Sequence, residues 1–294
     1  MTRKEQIILP ILHWYKKNKR DLPWRRTMRP YHILVSEVML QQTQVDRVII
    51  KYREFLRYFP SVKQLGNASP GEVITAWKGL GYNRRALYLQ KTAQAIRQEY
   101  GGRFPQDIDT LMTLPGIGNY TARAILSFAF DKPVAMMDTN HRKFYSRIFF
   151  QENGQSDKIL LEKTKDLVAD LLTLPSLFSD KKSMVYHWNQ ALMDFGAHFL
   201  ARGTHLQDCP IKQFDQLFPD QVKKQQKKAH TPFRQTNRYY RGRIVDALRS
   251  EKSITIKTIA KLCADIPKKR QQTIIQGLIK DGLIKQAGCS MLLP

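Results

Sequence analysis

The strongest constraint on the fold of this chain is one short turn, residues 114–122, with the sequence LPGIGNYTA, between two stretches of helical pattern. Its glycines, Gly116 and Gly118, can adopt positive φ and let the main chain approach another molecule closely. Thr121 then opens a helix, whose free N–H groups suit an anion such as a nucleic-acid phosphate. An ordinary connection between two helices would show the same pattern, so the turn alone leaves both interpretations open.

The charge of the chain favours the phosphate interpretation. Its 49 lysines and arginines against 25 acidic residues give a formal net charge of +24. Such a charge predicts a polyanionic partner, and because no lipid anchor is visible, nucleic acid is favoured over a membrane. A surface evolved for solubility is the alternative, although most such surfaces mix charges of both signs.

The N-terminus and the cysteines indicate in which cellular compartment we expect the protein. No long apolar segment precedes a small-residue cleavage site, and no apolar run reaches the roughly 20 residues that a membrane span needs. We therefore expect an intracellular, cytoplasmic protein that associates with the nucleoid and has no membrane partner. Three scattered cysteines, Cys209, Cys263 and Cys289, predict neither a disulfide framework nor a metal site.

Hydrophobic periodicity divides the chain into three parts. Apolar residues recur at helical spacing from about residue 5 to about residue 219, without convincing period-two alternation, which predicts an all-α domain over residues 1–220. Residues 221–242 are rich in lysine and arginine and lack acidic residues, as in a solvated linker or a phosphate-binding arm. Tyr239 and Tyr240 among the arginines favour the arm.

The last part, residues 243–294, predicts three helices followed by a β-hairpin over residues 282–293, a winged-helix-like unit. Lys268, Lys269 and Arg270 begin the third helix, where a DNA-binding unit would carry phosphate contacts. A winged helix that binds another protein is the alternative.

Two carboxylates carry the chemistry that the sequence suggests. Glu37 has apolar neighbours on a predicted helix, and its burial would raise its pKa and favour the protonated form that a general acid needs. Asp138 follows an apolar run and lies at a predicted helix start, where the helix dipole favours the ionised form. Carboxyls in opposite protonation states resemble the pair that breaks glycosidic bonds. Taken singly, Asp138 could be only a helix N-cap, and Glu37 only a surface residue.

Six features in this order resemble the MutY adenine DNA glycosylases of the helix-hairpin-helix (HhH-GPD) superfamily. They are LPWR (22–25), SEVMLQQTQV (36–45), WKGLGY (77–82), LPGIG (114–118), Asp138 and NQALMDFGA (189–197). The resemblance covers roughly residues 5–200. It implies an all-α, two-lobed helix-hairpin-helix DNA glycosylase fold, to which the C-terminal winged-helix-like unit is added. The implied activity, in base-excision repair, is hydrolysis of the N-glycosidic bond of adenine mispaired with guanine or 8-oxoguanine, after base flipping.

The resemblance also implies a role for individual residues in the reaction. Glu37 would protonate adenine N7 and later handle the water, while Asp138 would stabilise the sugar cation with Asn140 beside it. Tyr120 would sit near both carboxylates. Bifunctional relatives resembling endonuclease III place a lysine there as a Schiff-base nucleophile, which a phenol cannot replace. The resemblance therefore predicts a monofunctional glycosylase.

Double-stranded DNA containing a mispair is the implied partner of a monomeric enzyme. Gln42 and Tyr82 would enter the base stack as the adenine flips out, and Gln190 would contact the extruded adenine. Residues 114–121 would hold the DNA backbone through main-chain N–H groups. Further DNA contacts are implied for Arg25, Leu40, Gly116, Gly118 and Thr121.

The chain departs from the family in two places. Most members carry a four-cysteine [4Fe–4S] site, but here Leu200 stands where the first cysteine belongs and Cys209 is the only remnant. We therefore predict no cluster and no other cofactor. His198, His205, Asp208 and Cys209 could ligate zinc, but their irregular spacing favours local packing, so we predict no metal. The tail is also too short for the family's Nudix-like domain.

Two alternatives remain at this stage. One is a thymine or uracil mismatch glycosylase on the same scaffold, against which Glu37 and Gln190 argue because pyrimidines have no N7. The other is a catalytically silent DNA-binding protein, against which the intact Glu37, Asp138 and Tyr120 argue.

Overall fold

The computed structural model describes residues 2–200, 206–217 and 231–294. His205 and residues 221–230 of the predicted basic segment lie outside the described residues. Contacts divide the described chain into two compact units. The first unit contains residues 2–33, 106–112, 118–200 and 206–217, and the second contains residues 34–105, 113–117 and 231–294.

Helices dominate the described residues, as the sequence predicts. The α-helices are α1 (Arg3–Asn18), α2 (Pro30–Leu40), α3 (Val45–Tyr58), α4 (Val62–Asn67), α5 (Pro70–Ala76), α6 (Arg84–Glu99), α7 (Ile108–Thr113), α8 (Asn119–Phe130), α9 (Thr139–Lys143), α10 (Asp157–Thr173), α11 (Met184–Phe195), α12 (Asn237–Ser250), α13 (Ile256–Leu262) and α14 (Lys268–Lys280). Short 3₁₀ turns include Pro23–Arg26 and Phe233–Gln235, and π-helical turns span Phe144–Phe149 and Gly196–Leu200. The strands are β1 (Ile254–Thr255), β2 (Lys285–Ala287) and β3 (Ser290–Leu292).

Local side-chain chemistry fixes several helix starts. The Thr2 and Ser69 hydroxyls accept hydrogen bonds from the backbone N–H of the third residue of α1 and of α5. In return, the carboxylates of these third residues, Glu5 and Glu72, accept a hydrogen bond from the backbone N–H of the cap residue. Such a capping box satisfies two N–H groups that have no partner inside the helix. The helix boundaries therefore follow from residues next to them in the sequence.

The core of the first unit is apolar and rich in aromatic rings. Helix α1 contributes the fully buried Ile7 and Ile11, which belong to one cluster with Phe144, Trp188 and Phe195. The indole N–H of Trp188 donates to the Tyr145 hydroxyl at 2.9 Å, which satisfies both polar groups inside the core. This packing fixes α11 and the segment that follows Asp138 in one body.

The second unit joins residues 231–294 to α5 and α6. Ile74 and Leu87 share a buried cluster with Ile244, Leu278 and Met291. The three strands form an antiparallel sheet in the order β1-β3-β2. Together with α12, α13 and α14, this is a winged-helix arrangement, and the predicted hairpin lies within residues 282–293.

The junction between the predicted linker and this unit differs from expectation. Helix α12 begins at Asn237, six residues before the predicted helix start at residue 243, because the Thr236 hydroxyl accepts the Tyr239 N–H and caps it. Arg238 and Arg241 of the basic segment are therefore helical. Within the described ranges, no helix is both long and apolar enough to span a membrane.

Candidate active site

In the turn at residues 114–118, Gly116 has a positive φ and also lies close to the side chain of Tyr88. Gly116 has φ of 81°, and Ile117 N donates to Leu114 O at 3.1 Å. A Cβ at Gly116 would lie 2.8 Å from the Cβ of Tyr88, so neither the backbone angle nor the space suits another residue. The sequence allowed positive φ at Gly118 too, but there φ is −95°, because Gly118 is the extended N-cap residue of α8.

The start of α8 offers the main-chain donors that the sequence predicts. The first helical hydrogen bond runs from Ala122 N to Gly118 O at 2.9 Å, so the N–H groups of the three preceding residues lie outside the intrahelical pattern. A Cβ at Gly118 would meet no described atom within 4 Å. The Thr121 side chain is buried, so an anion here would meet its N–H and not its hydroxyl.

Asp138 is the N-cap of α9, as its predicted helix start requires. Its Oδ1 accepts hydrogen bonds from Asn140 N at 2.9 Å, His141 N at 2.8 Å and His141 Nδ1 at 2.7 Å. Burial alone would raise the pKa of Asp138, but His141 and the two N–H groups outweigh it and hold that pKa below its usual value. Among the described residues, all hydrogen bonds to this carboxylate fall on Oδ1, so capping leaves Oδ2 available for chemistry.

His141 is a site residue that the sequence reasoning missed. Its side chain is fully buried, and within the described part of the chain its Nε2 has no hydrogen-bond partner. Because the carboxylate of Asp138 is ionised and only accepts, Nδ1 of His141 donates to it. A histidine three residues after a capping aspartate is the signal that would have found this contact, since the third residue of a helix can reach back to its cap.

Three other predicted residues belong to the same unit. Tyr120, the second residue of α8, lines a recess of about 630 Å³ with Met137, next to Asp138 in sequence. Gln190 lies on α11 and is 4% exposed. Asn140 lies against Gly196, where an added Cβ would come within 2.3 Å of the Asn140 Cβ. The glycine of the FGA segment is therefore needed for the position of Asn140.

Glu37 lies on α2 and belongs to the second unit. Its side chain is 4% exposed, with buried Val38 next to it and buried Leu34 one turn before it. The predicted burial is confirmed, and the surface alternative is wrong for this residue. Burial places this carboxyl away from bulk water, as in many general acids.

Gln42 and Tyr82 share an unusual backbone conformation. Their φ values are 55° and 46°, in the left-handed region that residues other than glycine rarely adopt. Both side chains are exposed and line a recess of about 880 Å³ in the second unit. Such strain persists only where surrounding contacts impose it, and it is frequent at functional sites. Leu40 ends α2 just before this turn and is partly buried.

Arg85 of α6 imposes that backbone, and the sequence reasoning missed it. Its Nη1 donates to Val38 O at 2.9 Å, to Met39 O at 3.1 Å and to Gln41 O. Its Nη2 donates to Thr43 Oγ1 at 3.1 Å. In the loop that carries Tyr82, the same Nη2 donates to Leu80 O at 3.0 Å and to Gly81 O at 3.2 Å. One guanidinium therefore ties the end of the helix that carries Glu37 to the loop that carries Tyr82.

Arg25 binds Asp194 of α11. Its Nη1 and Nη2 donate to the two Asp194 oxygens at 2.7 and 2.8 Å, and Arg20 Nε adds a contact of 2.6 Å. Asp194 is 3% exposed. Burial would raise its pKa, but Arg25 and Arg20 lower it below the usual value. Arg25 thus holds the LPWR segment on α11, and its DNA contact stays a prediction.

We expect Arg25→Met to lower the free energy of unfolding by about 2 kcal/mol at neutral pH, because Asp194 would remain buried with Arg20 alone. Since the pKa of Asp194 is lowered by folding, this stabilisation is complete above the ordinary aspartate pKa and is lost as pH falls through the lowered value. Urea denaturation of both proteins should therefore show a difference that shrinks in acid. Arg26→Met, which removes an exposed partner of Asp21, is the control. Equal losses in the two variants would contradict the prediction.

The predicted cations of the C-terminal unit differ from one another. Lys268 and Lys269 are exposed at the start of α14. Arg270 is partly buried, its Nε donates to Asn237 Oδ1 at 2.8 Å, and its guanidinium lies 5.7 Å from the Tyr240 ring centroid. The two lysines are therefore better placed than Arg270 for a phosphate.

The region of the family's iron–sulfur site has an apolar structure here. Leu200 and Cys209 pack in the apolar cluster of the first unit, and burial raises the pKa of the Cys209 thiol to about 11. His198 packs against the Trp14 ring at 5.9 Å. Among the described residues, no three His, Cys, Asp or Glu side chains are grouped so as to hold a metal. A single protonated thiol in an apolar core does not fit a four-thiolate cluster.

Comparisons with known proteins agree with this geometry. The model of the HhH-GPD superfamily base excision DNA repair proteins matches residues 35–170. An adenine DNA glycosylase of Mycolicibacterium smegmatis is 35% identical over 286 residues, which is 94% of this chain and 92% of that protein. The solved structure of a thermostable thymine-DNA glycosylase is 28% identical, with a TM-score of 0.62 over 72% of this chain and 94% of its own. A trapped endonuclease III–DNA intermediate, 20% identical, shares the fold with a TM-score of 0.60 over 73% of this chain and 96% of its own.

Proposed function

The chain belongs to the adenine DNA glycosylase family of the HhH-GPD superfamily, and from that premise we propose that it removes adenine from DNA in base-excision repair. The observation that carries the proposal is the buried Glu37 on α2, since departure of adenine is eased by a proton on N7. We propose further that the adenine is mispaired with guanine or 8-oxoguanine, and that the enzyme acts as a monomer in the cytoplasm, at the nucleoid.

In the proposed reaction Glu37 donates its proton to N7 of the extruded adenine. The bond between C1′ and N9 then breaks, and its electron pair leaves with the neutral base. The same carboxylate next accepts a proton from the water that attacks C1′. The burial of Glu37 supports the first role, because loss of water by itself disfavours the charged form of a carboxyl.

Asp138 has the opposite role in the proposal. Its lowered pKa keeps it ionised, and an anion near C1′ stabilises the positive charge that develops on the sugar. His141 holds Oδ1 and so orients the carboxylate, while Oδ2 is left to the sugar. Tyr120 carries no amine, so the abasic product is released without a Schiff base.

The test of this function is a panel of duplexes under single-turnover conditions. We expect alkali-labile products from adenine opposite 8-oxoguanine and opposite guanine, and none from thymine or uracil opposite guanine. Without alkali the strand should stay intact, and borohydride should trap no adduct. Excision of thymine without adenine would favour the function of the thymine-DNA glycosylase that this chain resembles at 28% identity. Tight binding without excision would indicate a silent DNA-binding protein.

We also propose that the enzyme works without the family's iron–sulfur cluster. Purified protein is expected to contain no iron and no acid-labile sulfide, and Cys209→Ala is expected to retain adenine excision within about twofold, because a buried thiol acts here as a small apolar group. The measurement is metal analysis alongside single-turnover kinetics. Stoichiometric iron that disappears in Cys209→Ala would refute the proposal.

A further inference from the structure

An arginine of the C-terminal part of the chain lies directly on Tyr82. The guanidinium carbon of Arg238 is 3.7 Å from the centroid of the Tyr82 ring, and its Nη1 donates to the Tyr82 hydroxyl at 2.7 Å. The first contact is a stacked cation–π pair and the second is a hydrogen bond, so one side chain holds both the face and the tip of the ring.

The contact is built into the fold around it. A Cβ at Gly81 would lie 3.2 Å from Nη2 of Arg238, which makes a glycine the residue that leaves room for the guanidinium. Arg85 lies 5.5 Å from the same ring. Burial first, and then the charge of Arg238, lower the pKa of Arg85 to about 10. Two like charges are therefore held beside one ring, an arrangement that the fold imposes against their repulsion.

Arg238 belongs to a helix that is packed into the core of the second unit. Helix α12 carries it, and Ile244 of the same helix is fully buried in the cluster that contains Ile74 and Leu87. Arg241, one turn later, forms an ion pair with Asp281. The guanidinium over Tyr82 is thus presented by a packed helix and not by a loose tail.

Tyr82 needs such support, because its backbone is strained. It combines φ of 46° with a ring that is 40% exposed, so burial holds the ring only in part and further contacts are needed to fix its position. If Tyr82 enters the base stack, its ring must hold position while stacked bases are forced apart, which costs free energy.

We propose that Arg238 is a positioning residue that holds Tyr82 ready to enter the base stack, so that the C-terminal unit takes part in distorting the DNA. This inference rests on the proposed glycosylase function. In this proposal the C-terminal unit does more than raise the affinity for DNA, because it also holds the residue that enters the base stack. Loss of Arg238 then slows base extrusion more than it weakens binding.

The experiment compares Arg238→Ala with Arg234→Ala. Arg234 is also exposed and lies four residues away, and its replacement removes the same charge. Unlike Arg238, it does not line the recess that Tyr82 lines, as far as the described residues show. Single-turnover excision of adenine opposite guanine is measured at saturating enzyme. It is then measured on adenine opposite an abasic site, where extrusion costs less. A 2-aminopurine next to the adenine reports unstacking of the helix.

For Arg238→Ala we expect about a tenfold slower excision from the mispair and a smaller 2-aminopurine signal, with less than about a threefold change opposite the abasic site. Arg234→Ala should change both substrates equally. In a Tyr82→Ala background, Arg238→Ala should cause no further loss. Equal effects of the two arginine variants on both substrates, or faster excision by Arg238→Ala, would overturn the inference. A wild-type enzyme that excises no adenine would instead refute the proposed function.

Discussion

Glu37→Gln is expected to lower the single-turnover rate constant for adenine excision about a thousandfold, the middle of the range that a positioned general acid and base contributes. Glutamine has nearly the same shape as protonated glutamate, so α2 and its buried surroundings should be preserved. It cannot release a proton to N7 or take one from water. The loss should therefore fall on the chemical step and leave DNA affinity unchanged.

The control is Glu54→Gln on α3, in the same unit, where the carboxylate is 42% exposed and paired with Lys51. Glu54→Gln makes the same chemical change as Glu37→Gln in the same unit. The difference is that the Glu54 side chain is exposed and the Glu37 side chain is buried. We expect its rate constant to stay within about twofold of wild type, as for an exposed ion pair of small energetic value. The duplex used for binding should carry an uncleavable adenine analogue opposite 8-oxoguanine. A Glu37→Gln enzyme that still turns over at the wild-type rate would remove Glu37 from the reaction.

The local parts of the site could be predicted from the sequence. The helix start at Asp138 and the burial of Glu37 depend on residues adjacent in the chain, so capping chemistry and apolar neighbours were sufficient to identify them. The predicted start of α12 was wrong by six residues, because the prediction did not use Thr236, which lies among the charged residues of the basic segment, as the N-cap. The signal for this helix start is local too, because Thr236 directly precedes the helix that it caps.

The long-range parts could not be predicted in this way. Arg85 is 47 residues from Val38, and Arg238 is 156 residues from Tyr82, so only the folded chain reveals these contacts. In the sequence, Arg85 is one arginine among many in a basic protein. The need for a glycine at position 196 is of the same kind, since Asn140 approaches it from a distant segment. A resemblance transfers the reacting residues, whereas the residues that hold them depend on tertiary packing.

Arg85→Met is the second change with a large expected effect, and it acts on stability and activity together. Removing the guanidinium leaves carbonyl oxygens at the end of α2 and in the Tyr82 loop without their donor. We expect the free energy of unfolding to fall by about 3 kcal/mol, since partly buried acceptors lose several hydrogen bonds at once. Arg85→Lys should recover little of this, because one ammonium cannot serve acceptors that a planar fork bridges.

Activity should fall beyond what unfolding explains. With Arg85 gone, the strained turns at Gln42 and Tyr82 lose the group that bridges them, and we expect excision from an adenine mispair to slow about a hundredfold in protein that is still folded. Arg97→Met is the matched control, because it removes an exposed arginine from the same helix, α6. Urea denaturation gives the stability, and single-turnover excision well below the unfolding transition gives the rate. If the folded Arg85→Met protein excised adenine as fast as Arg97→Met, the strained turns would not depend on this arginine, and its hydrogen bonds would serve stability alone.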